Sequence, residues 1–160
     1  MKKFAVVLLA VLFFGCSEDN VLSPEDQLKK DIETIDKYLA KNGITATEDE
    51  SGLRIVVETT GNSSYPSGTS ILTVNYTGKF LNGKVFDQSV PNNLGVPSPL
   101  ATPLSGLIEG WRIVFTKYVA KGGKATFYLP SGLAYKQTGF KSIPPNTNVI
   151  FEVELIGFTN

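Results

Sequence analysis

Six aromatic residues stand near turn-forming residues between positions 76 and 151 of this chain: Tyr76, Phe86, Trp111, Tyr135, Phe140 and Phe151. The sole tryptophan, Trp111, follows Gly110 at a helix start, just after a proline-rich loop. That is an exposed place for the largest side chain, and it suggests the floor of an apolar pocket. Such a pocket does chemistry without a nucleophile: it receives an apolar ring and favours whichever state of the bound group is less polar. The ordinary alternative is that these rings are plain core, and Phe151 fits that reading best. What the chain lacks narrows the choice. With no histidine and one cysteine it has no Ser-His-Asp or Cys-His set, no intrachain disulfide and no cysteine-based zinc site. Fifteen Lys and Arg balance fifteen Asp and Glu for a net charge of zero. Phosphate binding needs a cationic surplus, so nucleic acid is not an expected partner.

The elements that would position these rings are legible in outline. Ser23-Pro24-Glu25-Asp26 starts a helix, with a hydroxyl N-cap, Pro at the first position and acids in the first turn. Leu28, Ile32, Ile35 and Leu39 mark one apolar face, and Asn42-Gly43 ends the helix. This face is expected to pack on its own domain or serve as a spacer. From Gly52 the pattern changes to strands. Leu53 to Glu58 is short and β-branched, and Ser70 to Phe80 alternates. Asn82-Gly83 is a hairpin turn leading into Val85-Phe86. Val90 to Pro103 carries Pro91, Pro97, Pro99 and Pro103 and reads as a loop or irregular edge. Ile108 to Val119 is the one helix-like stretch of this half, and two strands follow, Lys124 to Leu129 and Val149 to Phe158. The expected class is α+β: an antiparallel sheet against one short helix, preceded by an N-terminal helix. No internal repeat is visible.

The first residues read as an address. Lys2-Lys3 precedes an eleven-residue apolar run, Phe4 to Phe14, too short to span a bilayer, for which roughly 20 residues are needed. Gly15-Cys16 and a polar Ser17-Glu18-Asp19-Asn20 follow. The whole resembles a bacterial lipoprotein signal, although Phe13 stands where that signal usually has Leu. The resemblance implies residues 1–15 as signal peptide, lipidation of Cys16, residues 16–22 as a tether and 23–51 as helix plus linker before a domain at 52–160. Ser17 is not the Asp of an inner-membrane retention signal, so the implied location is the cell envelope, at the outer membrane. Acyl chains, not protein, would hold that membrane.

Other motifs fail on chemistry. Gly78 to Val85 nearly matches a phosphate-binding loop, but Val85 has no hydroxyl for magnesium and the segment is a hairpin. Asn62-Ser63-Ser64 and Asn75-Tyr76-Thr77 match a glycosylation pattern in what reads as a bacterial chain. Glu48-Asp49-Glu50 reads as a solvated linker and not a calcium site. No carboxylate pair has glycosidase context.

The string itself resembles the FKBP-type peptidyl-prolyl cis-trans isomerases. The resemblance lies in Val74-Asn75-Tyr76-Thr77-Gly78, Asn82-Gly83-Lys84-Val85-Phe86-Asp87-Gln88-Ser89, Leu107-Ile108-Glu109-Gly110-Trp111, Lys121 to Ala125, Leu133-Ala134-Tyr135, Ile143 to Asn146 and Ile150 to Leu155. It implies a half-barrel sheet wrapped around a short helix, with a proline pocket between them. Trp111 would be its floor, and Tyr76, Phe86 and Phe151 its walls. Leu107 and Ile108 would form the rim, with the Ile108 N–H donating to ligand. Tyr135 would offer its hydroxyl to the substrate carbonyl, Asp87 would be a buried carboxylate at the edge, and Ile143 would sit in the overhanging loop. Leu100 and Phe140 fall where the family varies. Lys136 stands where the family usually has Gly, and the following loop is one residue short.

The implied activity needs no cofactor and no metal. Rotation about an X–Pro bond meets a barrier of roughly 18–20 kcal/mol set by amide resonance. An apolar slot that favours the twisted, less polar amide lowers it. The implied partners are proline-containing polypeptides. Two other readings use the same fold: a non-catalytic binder of proline-containing peptides, and a structural lipoprotein.

Overall fold

The computed structural model describes residues 22–89 and 98–160. The expected signal peptide, Cys16 and most of the tether lie outside the described residues, as do Val90 to Pro97.

Helix α1, Pro24–Lys41, begins and ends where the sequence places it. The Ser23 hydroxyl accepts the Asp26 N–H at 3.1 Å, and the Asn42 N–H closes on the Tyr38 carbonyl at 3.1 Å. Seven strands form one antiparallel sheet: β1 Thr47–Glu48, β2 Arg54–Thr59, β3 Ile71–Phe80, β4 Val85–Gln88, β5 Leu100–Pro103, β6 Lys124–Leu129 and β7 Val149–Thr159. Their order is β1-β2-β6-β7-β3-β4, and β5 pairs with the first half of β3. Helix α2, Glu109–Lys117, joins β5 to β6 through a short turn of 3-10 helix, Leu104–Gly106.

Period-two alternation assigns the two faces of the sheet. Phe127, Leu129, Val149, Phe151, Val153 and Leu155 point to one side and pack with Leu53, Ile55, Leu72 and Val74 against Trp111, Val114 and Phe115 of α2. Tyr128 and Ile150 point to the other side and receive Ile35 and Leu39 of α1. Helix α1 therefore docks on its own domain. Burial of Ile35 alone stabilises that contact by about 1.5–3 kcal/mol. Arg54 fixes it further: Nε and Nη2 donate to the two Asp36 carboxylate oxygens at 2.9 and 3.1 Å.

One expectation is resolved and one changes. The proline-rich stretch ends in a true edge strand, Leu100–Pro103, paired with Val74 to Ile71. Pro103 is its last residue, where a missing N–H costs little. The Glu48-Asp49-Glu50 triplet is solvated at its two glutamates but not at Asp49. Glu48 belongs to β1, and Asp49 is buried, accepting the Tyr118 hydroxyl at 2.7 Å and the Ser51 N–H and hydroxyl at 2.9 and 2.6 Å. Those donors, with the Lys117 ammonium at 3.4 Å, hold its carboxyl well below the usual 3.8 although burial pushes the other way.

Candidate active site

Strand β3 supplies Tyr76, the β3–β4 hairpin supplies Phe86 and Asp87, α2 supplies Trp111, and β7 supplies Phe151. The hairpin is set by Gly83, whose φ of +83° suits the turn that Asn82-Gly83 predicts. Its return brings Phe86 over Gly78, where a Cβ would lie 2.6 Å from the Phe86 ring and 2.9 Å from that of Phe151. Glycine at 78 is therefore what lets two rings close over the strand.

The rings meet edge to face. Trp111 lies 5.4 Å from Tyr76 at 80° and 5.2 Å from Phe151 at 86°. Phe86 lies 5.7 Å from Phe151 at 88° and 6.4 Å from Tyr135 at 90°. Each such pair adds about 0.5–1.5 kcal/mol beyond burial. Phe140 stacks on Tyr135 at 5.6 Å and 9°, and Lys141 places its ammonium 5.2 Å from the Phe140 centroid. Leu107 and Ile108 stand half-buried at the start of α2. Ile108 is the N-cap residue, and its N–H meets no acceptor among the described residues. Ile143 is buried in a tight turn that exchanges backbone hydrogen bonds with Phe140 at 2.8 and 3.0 Å.

The sequence reading is corrected at two residues and adjusted at two. Trp111 is not exposed: 3% of it meets solvent, and Tyr76 and Phe151 cover it. A cavity of about 60 Å³ opens nearer the rim, lined by Phe86, Asp87, Tyr135, Phe140, Lys141, Ser142 and Ile143 and not by the indole. Of the aromatic rings packed on the indole, Tyr76 is half-buried and Phe115, Phe127 and Phe151 are buried, so a ring that is to rest on the indole approaches it from the Tyr76 side. Asp87 is exposed and not buried, yet it is engaged: Oδ2 accepts the Tyr76 hydroxyl at 2.9 Å and Oδ1 accepts the Gln88 N–H at 3.0 Å. That bond locks the Tyr76 ring against the indole. Leu100 sits opposite Val74 and packs on the main core. Phe140 is 52% exposed, a rim residue.

The electrostatics favour neutral donors. Burial, the bond to Asp87 and the Asp87 charge all push the Tyr76 phenol upward, and burial followed by the Asp87 charge does the same to Tyr135. Both keep their protons at neutral pH. The Tyr135 hydroxyl has no partner among the described residues and remains available to a carbonyl. The Trp111 Nε1–H is buried and likewise without a partner there.

One set of residues escaped the sequence reading. The Asp31 carboxylate of α1 is buried, and its Oδ2 accepts both the Ser131 N–H at 2.8 Å and the Ser131 hydroxyl at 2.5 Å. Gln27 donates to its Oδ1 at 2.7 Å, while Asn148 bridges the Ser131 N–H and the Asp31 carbonyl, both at 3.2 Å. Ser131 opens the 3-10 turn Ser131–Leu133 that leads directly to Tyr135. Helix α1 thus holds the Tyr135 segment from behind. Only the wrong-for-surface position of Asp31, one residue before Ile32 on the apolar stripe, hinted at it.

Comparison with known proteins agrees with this geometry. Residues 62–156 match the FKBP-type peptidyl-prolyl cis-trans isomerase family. The chain is 38% identical over 118 residues to a probable FKBP-type peptidyl-prolyl cis-trans isomerase FkpA of Neisseria meningitidis, covering 73% of this chain and 41% of that one. It is 38% identical over 125 residues to the FKBP-type 22 kDa isomerase of Escherichia coli, covering 75% and 57%. It therefore spans about half the length of the curated relatives it matches. The crystal structure of a peptidyl-prolyl cis-trans isomerase from Pseudomonas syringae superposes with a TM-score of 0.70 at 28% identity, over 87% of this chain and 98% of that one. Matched by the family model over more than half of its length, this chain belongs to the FKBP-type peptidyl-prolyl cis-trans isomerase family.

Proposed function

We propose that this chain accelerates rotation about X–Pro bonds in exported polypeptides, anchored to the cell envelope through a lipid on Cys16. The observation that carries the isomerase reading is the edge-to-face cage around Trp111, locked by Tyr76 and Asp87 in a chain of this family. Its residues bind and orient without covalent chemistry. A prolyl ring enters among Tyr76, Phe86 and Phe151 and rests on the indole. The preceding carbonyl turns toward the Tyr135 hydroxyl, and the Ile108 N–H is free to hold the next stretch of chain. Apolar surroundings strip water from the amide and favour the twisted state, whose carbonyl is less polar than the planar one. The Tyr135 donor orients that carbonyl as it turns. The family match favours this reading over a binder without catalysis.

The test is exchange NMR on an X–Pro tetrapeptide with the full chain. We expect faster cis-trans exchange, slowed in Tyr135→Phe; exchange at the uncatalysed rate would reject the activity. The anchor rests on the residue order from Lys2 to Asn20 and is tested separately. Mass spectrometry of the mature protein should find a diacylated or triacylated N-terminal Cys16, and an unmodified Cys16 would reject the anchor.

A further inference from the structure

Three clefts meet around the loop that overhangs the site. The 60 Å³ cavity at the aromatic mouth shares Ser142 with a cleft of about 680 Å³ running between α1, the β3–β4 turn and residues 142–148. That cleft in turn shares Gln27 and Asn146 with a third, of about 340 Å³, between the start of α1 and the segment 131–137. Through these shared residues the three clefts follow one another from the aromatic mouth to the start of α1, and they are treated together as one groove.

Cations outnumber carboxylates in this groove. Its lining includes four lysines, Lys30, Lys84, Lys136 and Lys141, and two carboxylates, Asp31 and Asp87. Both carboxylates are engaged. Asp31 is buried under Ser131 and Gln27, and Asp87 holds Tyr76 and the Gln88 N–H. None of the four ammonium groups has a carboxylate within 4 Å among the described residues. Elsewhere the sheet and the end of α2 pair their lysines: Lys79 with Glu152 at 2.6 Å, Lys124 with Glu154 at 3.1 Å and Lys117 with Asp49 at 3.4 Å. Lys29, Lys37, Lys41 and Lys121 outside the groove also lack a carboxylate within 4 Å among the described residues, so it is the clustering of four ammonium groups against two carboxylates, on a chain of zero net charge, that makes a local positive field here. Polar side chains between them, among them Thr34, Asn82, Asn146 and Thr147, offer hydrogen bonds to an extended backbone.

We propose that this groove takes the stretch of client polypeptide beside the proline, and that it selects stretches carrying aspartate and glutamate. The inference rests on the proline-site reading, because the groove begins at that mouth. It assigns the substrate class of the site: X–Pro bonds with acidic flanks. Exposed lysines act by steering and by weak rim pairs, so several together give a preference of about three- to tenfold.

The experiment compares two peptides of equal length, identical around one X–Pro bond, with flanking residues either glutamate or lysine. Exchange NMR with the full chain gives kcat/KM for each, and anisotropy of the labelled peptides gives binding. We expect a three- to tenfold preference for the glutamate peptide at low salt, shrinking as salt screens it. Lys30→Glu/Lys84→Glu should abolish or reverse that preference while leaving turnover of an unflanked tetrapeptide unchanged. Lys29→Glu/Lys37→Glu, on α1 but outside the groove, should leave it intact. Equal kcat/KM and equal binding for the two peptides, with the tetrapeptide still turned over, would overturn this inference alone. No turnover of any peptide, with acidic preference kept in binding, would overturn the isomerase reading and keep this one. Vesicles of phosphatidylglycerol supply the last arm: retention lost in Lys30→Glu/Lys84→Glu without any peptide preference would assign the groove to lipid and overturn the proposal.

Discussion

The floor of the site and its rim are made of different backbone. Trp111 rides on α2, Tyr76 on β3 and Phe151 on β7, all regular elements whose other residues fill the main core. The rim runs from Ala134 to Asn146, and in it Lys136, Lys141 and Asn146 have φ of +56°, +50° and +52°. Each left-handed non-glycine residue costs about 1–2 kcal/mol. Packing against the sheet places the floor. The rim is held by point attachments: the Phe140–Ile143 turn, the Asn146 N–H on the Lys136 carbonyl at 2.9 Å, and Asp31 on Ser131. The lesson is that the apolar slot and the hydrogen-bond donor that works with it are stabilised by separate parts of the molecule, so each can be broken without the other.

The largest effect is expected at the floor. Trp111→Ala removes a buried ring that contacts Tyr76, Phe115, Phe127 and Phe151, and should cost about 3–5 kcal/mol in urea unfolding together with catalysis. Asp31→Ala comes next. It strands the buried Ser131 hydroxyl, at a cost of about 1–3 kcal/mol, and leaves the Ser131 N–H with the Asn148 Oδ1 acceptor alone at 3.2 Å. Because its loss loosens the Tyr135 segment and spares the cage, kcat should fall more than KM rises. Asp31→Asn, which keeps an acceptor, should restore part of both. An equal loss in Trp111→Ala and Asp31→Ala of binding to a proline peptide would erase the distinction between floor and rim.

Asp49 sharpens the floor side, since it ties the β1–β2 turn to Tyr118 just after α2. Its carboxyl titrates below the usual 3.8 when folded, so its contribution is complete above that value. As pH falls below about 4 and onward toward the folded pKa, protonation removes it. Thermal unfolding should show Tm falling over that acid range, and Asp49→Asn should lower Tm at pH 7 while flattening the acid limb. An unchanged limb would mean that the Tyr118 and Lys117 contacts contribute nothing. The smallest effect belongs to the rim. Lys136→Gly relieves about 1–2 kcal/mol of left-handed strain against a glycine entropy cost of about 0.4–1 kcal/mol. A net gain of roughly half a kcal/mol in unfolding free energy is expected.

The same division governs what can be read from the sequence. Helix α1 was legible from Ser23-Pro24, the apolar stripe and Asn42-Gly43, because capping and periodicity are local. The alternation of Ser70 to Phe80 and the Asn82-Gly83 turn were legible for the same reason. Asp31 was not, since its partner Ser131 is 100 residues away and its place beside the apolar stripe says nothing of what it binds. Asp49 looked like one acid of a solvated triplet, and only the fold brings Tyr118 to it. The burial of Trp111 and the exposure of Asp87 depend on how strands β3, β4 and β7 curl over α2, which residue types alone do not fix. The edge strand Leu100–Pro103 hid among prolines because backbone pairing with β3, not propensity, creates it.

The chain has one tryptophan, so its emission reports on the floor alone. Titrating the full chain with an X–Pro tetrapeptide while following indole fluorescence tests whether a prolyl ring reaches it. The account predicts a saturable change in intensity and wavelength that vanishes when the peptide's proline is replaced by alanine. An indole whose emission ignores the proline peptide, or answers both peptides alike, would contradict it.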